Sequence, residues 1–292
     1  MAASTQDRPA VSPRLDTHQY FWNLDQISRG HFPWMPPRGV LREDHSPERL
    51  EPHVRATDVG GTVAVQAAAN LEETLALLDI ARSTPFVLGV TGWADLARPD
   101  AADTLEGLAA DENLLAVRPM IHDMDDPRWV ARPEVRTSLG TLSNLGRRFE
   151  ALTRPKHLPA LVEAIDAVPE LPVVIDHLSK PHYRWDEDES WRTWMARCAE
   201  RPATYCKVSG MLTEVGPVWH ADDFQPYVDF LFNTFGTDHV MFGSDWPVSR
   251  QRLEYPDVVD LTDHLVSGLS PTEAEAFWRG NAESFYGVAL KP

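Results

Sequence analysis

Only two cysteines, Cys198 and Cys206, occur in the 292 residues. One falls in a helix-like segment and the other in a strand-like one, so neither a disulfide framework nor a thiolate metal site is indicated. No apolar run is long enough to span a bilayer. Cations are scarce: 27 Lys and Arg stand against 44 Asp and Glu, a formal charge of −17. Such a surface does not neutralise phosphates, which argues against nucleic acid as a partner, and it is not drawn to an anionic membrane. Internal repeats, low-complexity tracts and convincing linkers are missing as well. Residues 1–13 lack the charged-then-apolar plan of a signal peptide and read as a flexible tail. Residues 14–292 are then one domain, with the cytoplasm as the expected compartment and a small molecule as the expected partner. A homo-oligomer stays open.

What is present is an ordinary globular composition, 43% hydrophobic and 24% charged, with short apolar runs alternating with helical periods. Strands are expected at Arg14–Tyr20, Thr62–Gln66, Val87–Thr91, Leu115–Met120, Arg148–Leu152, Pro172–Asp176, Thr204–Ser209 and Val240–Gly243. Most are apolar and bounded by breakers, as buried parallel strands are. Between them lie amphipathic stripes. Leu71, Leu75 and Leu78 follow Asn70, with Glu73 placed to close a capping box. Ser270-Pro271-Thr272-Glu273 opens a final helix with a cap, a first-turn proline and an acid. Eight strands alternating with helices predict a single (β/α)₈ barrel. A doubly wound sheet is the rival, but no Gly-rich phosphate loop follows the first strand.

Barrel chemistry collects at the C-terminal ends of the strands. The first strand, Asp16-Thr17-His18-Gln19-Tyr20, carries an acid, an imidazole and a phenol at alternate positions, so all three should share a face. The fourth carries Arg118 and leads to His122, and the fifth leads to Arg154. The sixth delivers His177 and then Lys180, the seventh leads to Glu214, and the eighth delivers Asp245 and Trp246. The segment Phe21–Asp44, rich in Trp, Pro and Gly, should lie over the mouth, where Trp22 and Trp34 could meet a substrate.

Four segments carry a family resemblance. Asp16-Thr17-His18-Gln19-Tyr20-Phe21-Trp22, Val174-Ile175-Asp176-His177-Leu178-Ser179-Lys180-Pro181, Lys207-Val208-Ser209-Gly210-Met211 and Phe242-Gly243-Ser244-Asp245-Trp246-Pro247-Val248 resemble the amidohydrolase-2 branch of the amidohydrolase superfamily. Within it the chain looks most like the L-fucono- and L-rhamnono-lactonase-like sugar-acid lactonases, and more distantly like 2-pyrone-4,6-dicarboxylate lactonase. The resemblance implies a (β/α)₈ barrel with hydrolysis at the C-terminal rim, and it maps His18, His177 and Asp245 onto functional positions. One departure stands out: the superfamily's first strand normally carries His-x-His, and here the second position is Tyr20.

Lactone hydrolysis needs a deprotonated water, a polarised carbonyl and a protonated leaving alkoxide. The expected assignment makes Asp245 the general base, with His18 and His177 polarising the carbonyl and Tyr20 adding a donor. Trp22, Trp34, Arg118, His122, Arg154, Lys180, Glu214 and Trp246 are the candidates for substrate recognition. With a usual ligand lost at Tyr20, a metal-free site is expected. The alternative is one zinc or other divalent ion on His18, His177 and Asp245. Two other readings stay open: metal-assisted decarboxylation or ring opening on the same barrel, and a binding protein that has lost catalysis.

Overall fold

The computed structural model describes residues 13–290. Among them, eight parallel strands pair in sequence order, β1 (Arg14–Gln19), β2 (Val59–Val65), β3 (Val87–Gly92), β4 (Leu114–Val117), β5 (Arg148–Ala151), β6 (Val173–Ile175), β7 (Thr204–Val208) and β8 (Val240–Phe242). Helices alternate with them, which is the expected (β/α)₈ barrel. Residues 1–12 of the expected tail lie outside the described residues. Both cysteines are buried and free. No helix among the described residues is long and apolar enough to cross a membrane.

The ring is drawn together between β1 and β8 at the site end. Asp245 N–H donates to the His18 carbonyl at 2.8 Å, and Tyr20 N–H donates to the Trp246 carbonyl at 2.8 Å. The Asp16 carboxylate reinforces the seam by accepting from Ser244 N–H at 2.8 Å and from the Tyr255 hydroxyl at 3.0 Å. At the other end, Ala282, Phe285 and Tyr286 of the helix Asn281–Tyr286 pack with Leu15, Val63, Val174 and Met241. That plug shuts the barrel away from the site, so its interior is core rather than pore.

Three local expectations are corrected. Asp16 does not share the site face of His18 and Tyr20. Asp16 pairs with Thr62 but Gln19 pairs with Ala64, three residues against two. This bulge breaks the alternation and leaves Asp16 bonded to Tyr255 of the helix Tyr255–Leu265. The helix Leu71–Ser83 buries Glu73, Thr74, Leu77, Leu78 and Ala81, whereas Leu71 and Leu75 are exposed. Polar contacts turn it: the Glu73 carboxylate accepts from Ala67 and Ala68 N–H, and the Thr74 hydroxyl accepts from Trp93 N–H at 2.8 Å. For the same reason only half the expected capping box forms, Asn70 accepting from Glu73 N–H at 2.8 Å. The box at Ser270 and Glu273 is complete.

Candidate active site

A cleft of about 360 Å³ opens at the C-terminal ends of the strands. Tyr20, Arg118, His177 and Asp245 line it near the barrel axis, and His122, Arg154, Lys180 and Glu214 extend it outward. Trp34 lines it from the segment after β1, as Pro36 and Leu41 do, so that segment does cover the mouth. Trp22 and Trp246 are not among the lining residues. Each is nearly inaccessible, Trp22 packed on Phe32, Trp34 and His45, and Trp246 on Phe21 and His45. Their aromatic bulk supports the segment from behind.

Two of the central side chains sit on left-handed backbone. His177 has φ 52° and Asp245 has φ 58°, and Leu178, Ser179 and Lys180 continue the left-handed run. Non-glycine residues hold such conformations at a cost, and they cluster where a side chain must be aimed. Two glycines make room for the imidazoles. A Cβ on Gly210 would lie 2.4 Å from His177 Nδ1, and a Cβ on Gly243 would lie 2.6 Å from His18 Cβ. Gly210, at φ 61°, is suited to its turn for a second reason.

His177 Nδ1 is anchored by the Ser209 hydroxyl at 2.7 Å, which leaves Nε2 at 3.6 Å from Asp245 Oδ1. His18 Nε2 meets the Tyr20 hydroxyl at 2.7 Å and Arg118 Nη1 at 3.3 Å. The rings of His18 and His177 are 4.4 Å apart. Burial, and next the Lys207 cation, lowers the His18 pKa to about 3. Burial and the adjacent His18 hold His177 well below the ordinary imidazole range. Both rings are therefore neutral at pH 7. Burial also keeps the Tyr20 phenol protonated. It raises the Asp245 carboxyl to about 7, against the pull of Lys180, Tyr20 and Arg118. A carboxylate poised there exchanges protons near neutrality.

Beneath these groups is an ionic cluster that sequence reasoning missed. Lys207 Nζ lies 2.7 Å from Glu150, 3.2 Å from Asp176 and 3.2 Å from His18 Nδ1. Glu150 also accepts from Thr91 at 2.6 Å and from Tyr286, and Arg118 pairs with Asp176 at 3.3 Å. Arg118 is thus both a cleft residue and part of this foundation. At the outer end of the cleft, Glu214 takes Lys180 at 2.6 Å and Arg154 at 3.0 Å. Burial works to raise the Glu214 pKa, but the Lys180 and Arg154 cations outweigh it and the carboxyl lies below its ordinary value. Burial, with the cations of Lys180, Arg118 and Arg154, lowers His122 to about 2, so it faces the cleft as a neutral ring.

Two groups among the described residues have the make-up of a metal site, His18 with His177 and Asp245, and His18 with Glu150 and Asp176. The second already surrounds the Lys207 ammonium. The first fits one divalent ion: two neutral imidazoles and a carboxylate whose ligand atoms lie within 4.8 Å of one another. The 3.6 Å from His177 Nε2 to Asp245 is close to the roughly 3.4 Å between neighbouring ligands of a tetrahedral zinc. The Ser209 contact orients His177 as ligand-supporting partners do. At His18 the ion would compete with Tyr20 and Arg118 for Nε2.

The family described as amidohydrolase matches residues 15–288. The chain is 38% identical over 285 residues to an L-fucono-1,5-lactonase of Burkholderia ambifaria, covering 94% of this chain and 96% of the relative. It is 31% identical over 291 residues to an L-fucono-1,5-lactonase of Burkholderia multivorans, covering 94% and 96%. A crystal structure of an amidohydrolase from Burkholderia multivorans with bound zinc superposes with a TM-score of 0.88 at 29% identity, over 95% of this chain and 100% of that one. In this chain the group His18, His177 and Asp245 is a possible metal site that matches the single-ion alternative rather than the metal-free expectation.

Proposed function

The chain belongs to the amidohydrolase family, and from that premise we propose that it hydrolyses the lactone of a sugar acid. The observation that carries the reading is the meeting of one proton-exchanging carboxylate, Asp245, with two neutral imidazoles and a phenol inside a single buried site. Asp245 accepts a proton from the attacking water. The water oxygen adds to the lactone carbonyl carbon, and the carbonyl oxygen gains charge. Tyr20 and His177, which line the cleft, supply the polar contacts that hold this oxygen, with His18 buried behind the Tyr20 hydroxyl. When the ring C–O bond breaks, Asp245 returns its proton to the departing alkoxide. The product acid ionises and releases one proton to solvent. A divalent ion on His18, His177 and Asp245 would supply Lewis-acid polarisation and a more acidic water. Trp34, His122, Arg154, Lys180 and Glu214 surround the remainder of the substrate.

The neutral imidazoles and the protonated phenol suit a reactive ester, and the curated lactonases at 38% and 31% identity support the same class. The proposal extends to a role in carbohydrate metabolism, in the cytoplasm. A pH-indicator assay over 1,4- and 1,5-aldonolactones tests it. Acid release is expected from at least one member, falling by about a hundredfold or more in a folded Asp245→Asn variant. No acid release across the panel, or undiminished turnover without the Asp245 carboxylate, would overturn the reading.

A further inference from the structure

Lys180 and Arg154 bring two positive charges to the outer part of the cleft, which alone would form a seat for a carboxylate. Glu214 already occupies that seat. Its Oε1 lies 2.6 Å from Lys180 Nζ and its Oε2 lies 3.0 Å from Arg154 Nη1. Glu214 and Lys180 are mostly buried, with 16% and 11% of their side chains exposed, so solvent does not take over that pair, while Arg154, 41% exposed, closes the seat from the solvent side. Thr213, which donates to the Gly210 carbonyl at 2.9 Å, lies beside them on the cleft wall. We propose that Glu214 sets the substrate class. By engaging both Lys180 and Arg154 it makes the cleft select lactones whose other substituents are neutral hydroxyls, and reject those carrying a second carboxylate.

The chemistry of the groups supports this division. Glu214 Oε1 also accepts a long bond from the Thr213 hydroxyl at 3.4 Å, but Oε2 keeps a second lone pair after accepting from Arg154, and Lys180 and Arg154 keep unused N–H donors. A sugar hydroxyl donates and accepts at once, so it can enter this trio without breaking either ion pair. An incoming carboxylate can only accept. It must displace Glu214 from both cations or lie beside a like charge, and the unpaired group left behind penalises the wrong ligand. One carboxylate is generated at the reaction centre itself, so the selection applies to the far end of the molecule.

The inference rests on the sugar-acid lactonase reading, but a binding measurement tests it without turnover. Titration calorimetry would compare a six-carbon aldonate with the aldarate of the same stereochemistry, which differs by a terminal carboxylate. Wild-type protein should prefer the aldonate by at least about tenfold, and the isosteric Glu214→Gln variant should shift that ratio toward the aldarate by about tenfold or more. An unchanged ratio in folded Glu214→Gln protein would overturn the proposal, as would equal wild-type affinity for the two acids or no binding of either. If Glu214→Gln does not fold, the wild-type ratio decides alone. Acid release in the lactone assay with an unchanged binding ratio would sink the role of Glu214 and leave the hydrolase reading standing. The expected ratio without acid release from any lactone would do the reverse.

Discussion

Replacing Lys207 by Met is a stringent test of the foundation beneath the site. Lys207 is fully buried and its ammonium touches Glu150 at 2.7 Å and Asp176 at 3.2 Å. Methionine fills similar volume but supplies no charge, so the loss is electrostatic. Asp176 retains Arg118 at 3.3 Å, whereas Glu150 retains only the neutral donors Thr91 and Tyr286. Removing one partner of a buried ion pair costs about 3–5 kcal/mol; the Thr17 carbonyl loses a donor at 3.1 Å at every pH, and the pH-dependent part should fall chiefly on Glu150. That carboxyl is already raised by burial, with Lys207 the chief influence holding it down. Without Lys207 its folded pKa rises further above the unfolded value of about 4.3. The folded state then binds more protons than the unfolded chain across that interval, so stability falls as pH rises through it. Urea unfolding should therefore show a small deficit near the low end of the window and the full deficit above the folded pKa. A second change, Glu150→Gln, should recover part of the loss and flatten its pH dependence. A deficit under about 1 kcal/mol in alkaline buffer, the scale of an exposed pair, or one equal at both ends of the window, would refute the account.

Tyr20→Phe removes the hydroxyl 2.7 Å from His18 Nε2 and should cost about 1.5–4 kcal/mol of transition-state stabilisation, read as a fall in kcat/KM with little change in unfolding midpoint. Gly210→Ala places a Cβ 2.4 Å from the His177 ring. It should lower kcat by an order of magnitude or more in a folded protein, and unchanged kcat would show that the ring is free to move. Prolonged chelation should abolish lactone hydrolysis, with stoichiometric zinc restoring it. Full activity in protein shown by elemental analysis to be metal-free would return His18, His177 and Asp245 to an ion-free role.

The barrel was legible because its strands are short apolar runs, and all eight expected strands are found. Their limits were less visible. β2 begins at Val59 rather than Thr62 because Gly60 and Gly61 carry no strand signal, although they are glycine for a packing reason. A Cβ on either would lie within 2.7 Å of Pro13, Leu88 or Leu290. β4 stops at Val117, two residues before Pro119, which has no N–H for the ladder. β6 stops at Ile175, where the left-handed run begins at His177. The bulge in β1 left no mark in the alternation, which is why Asp16 was grouped with His18 and Tyr20. The rotation of Leu71–Ser83 was hidden for a related reason. Apolar spacing reports the stripe available, whereas Glu73 and Thr74 fixed the stripe used.

At the site, His18, Tyr20, His177 and Asp245 could be read from the sequence because each stands at a strand end within a distinctive segment. The Lys207 cluster could not be paired from spacing, since Lys207 and Glu150 are 57 residues apart. A signal was nonetheless present. Glu150 lies between Phe149 and Ala151, Lys207 between Cys206 and Val208, and Asp176 directly after Ile175. A lone ion amid such neighbours would be desolvated at a cost of several kcal/mol. Three of them in one barrel therefore require one another, and the signs require Lys207 at the centre. The same reasoning bears on the metal. With the ammonium held among Glu150, Asp176 and His18 Nδ1, the inner part of the site already contains its cation. An incoming ion is left the outer position, bounded by His177, Asp245 and the opposite nitrogen of His18. At that nitrogen the ion meets Tyr20 and Arg118, so the affinity of the site for metal turns on how readily those two give it up.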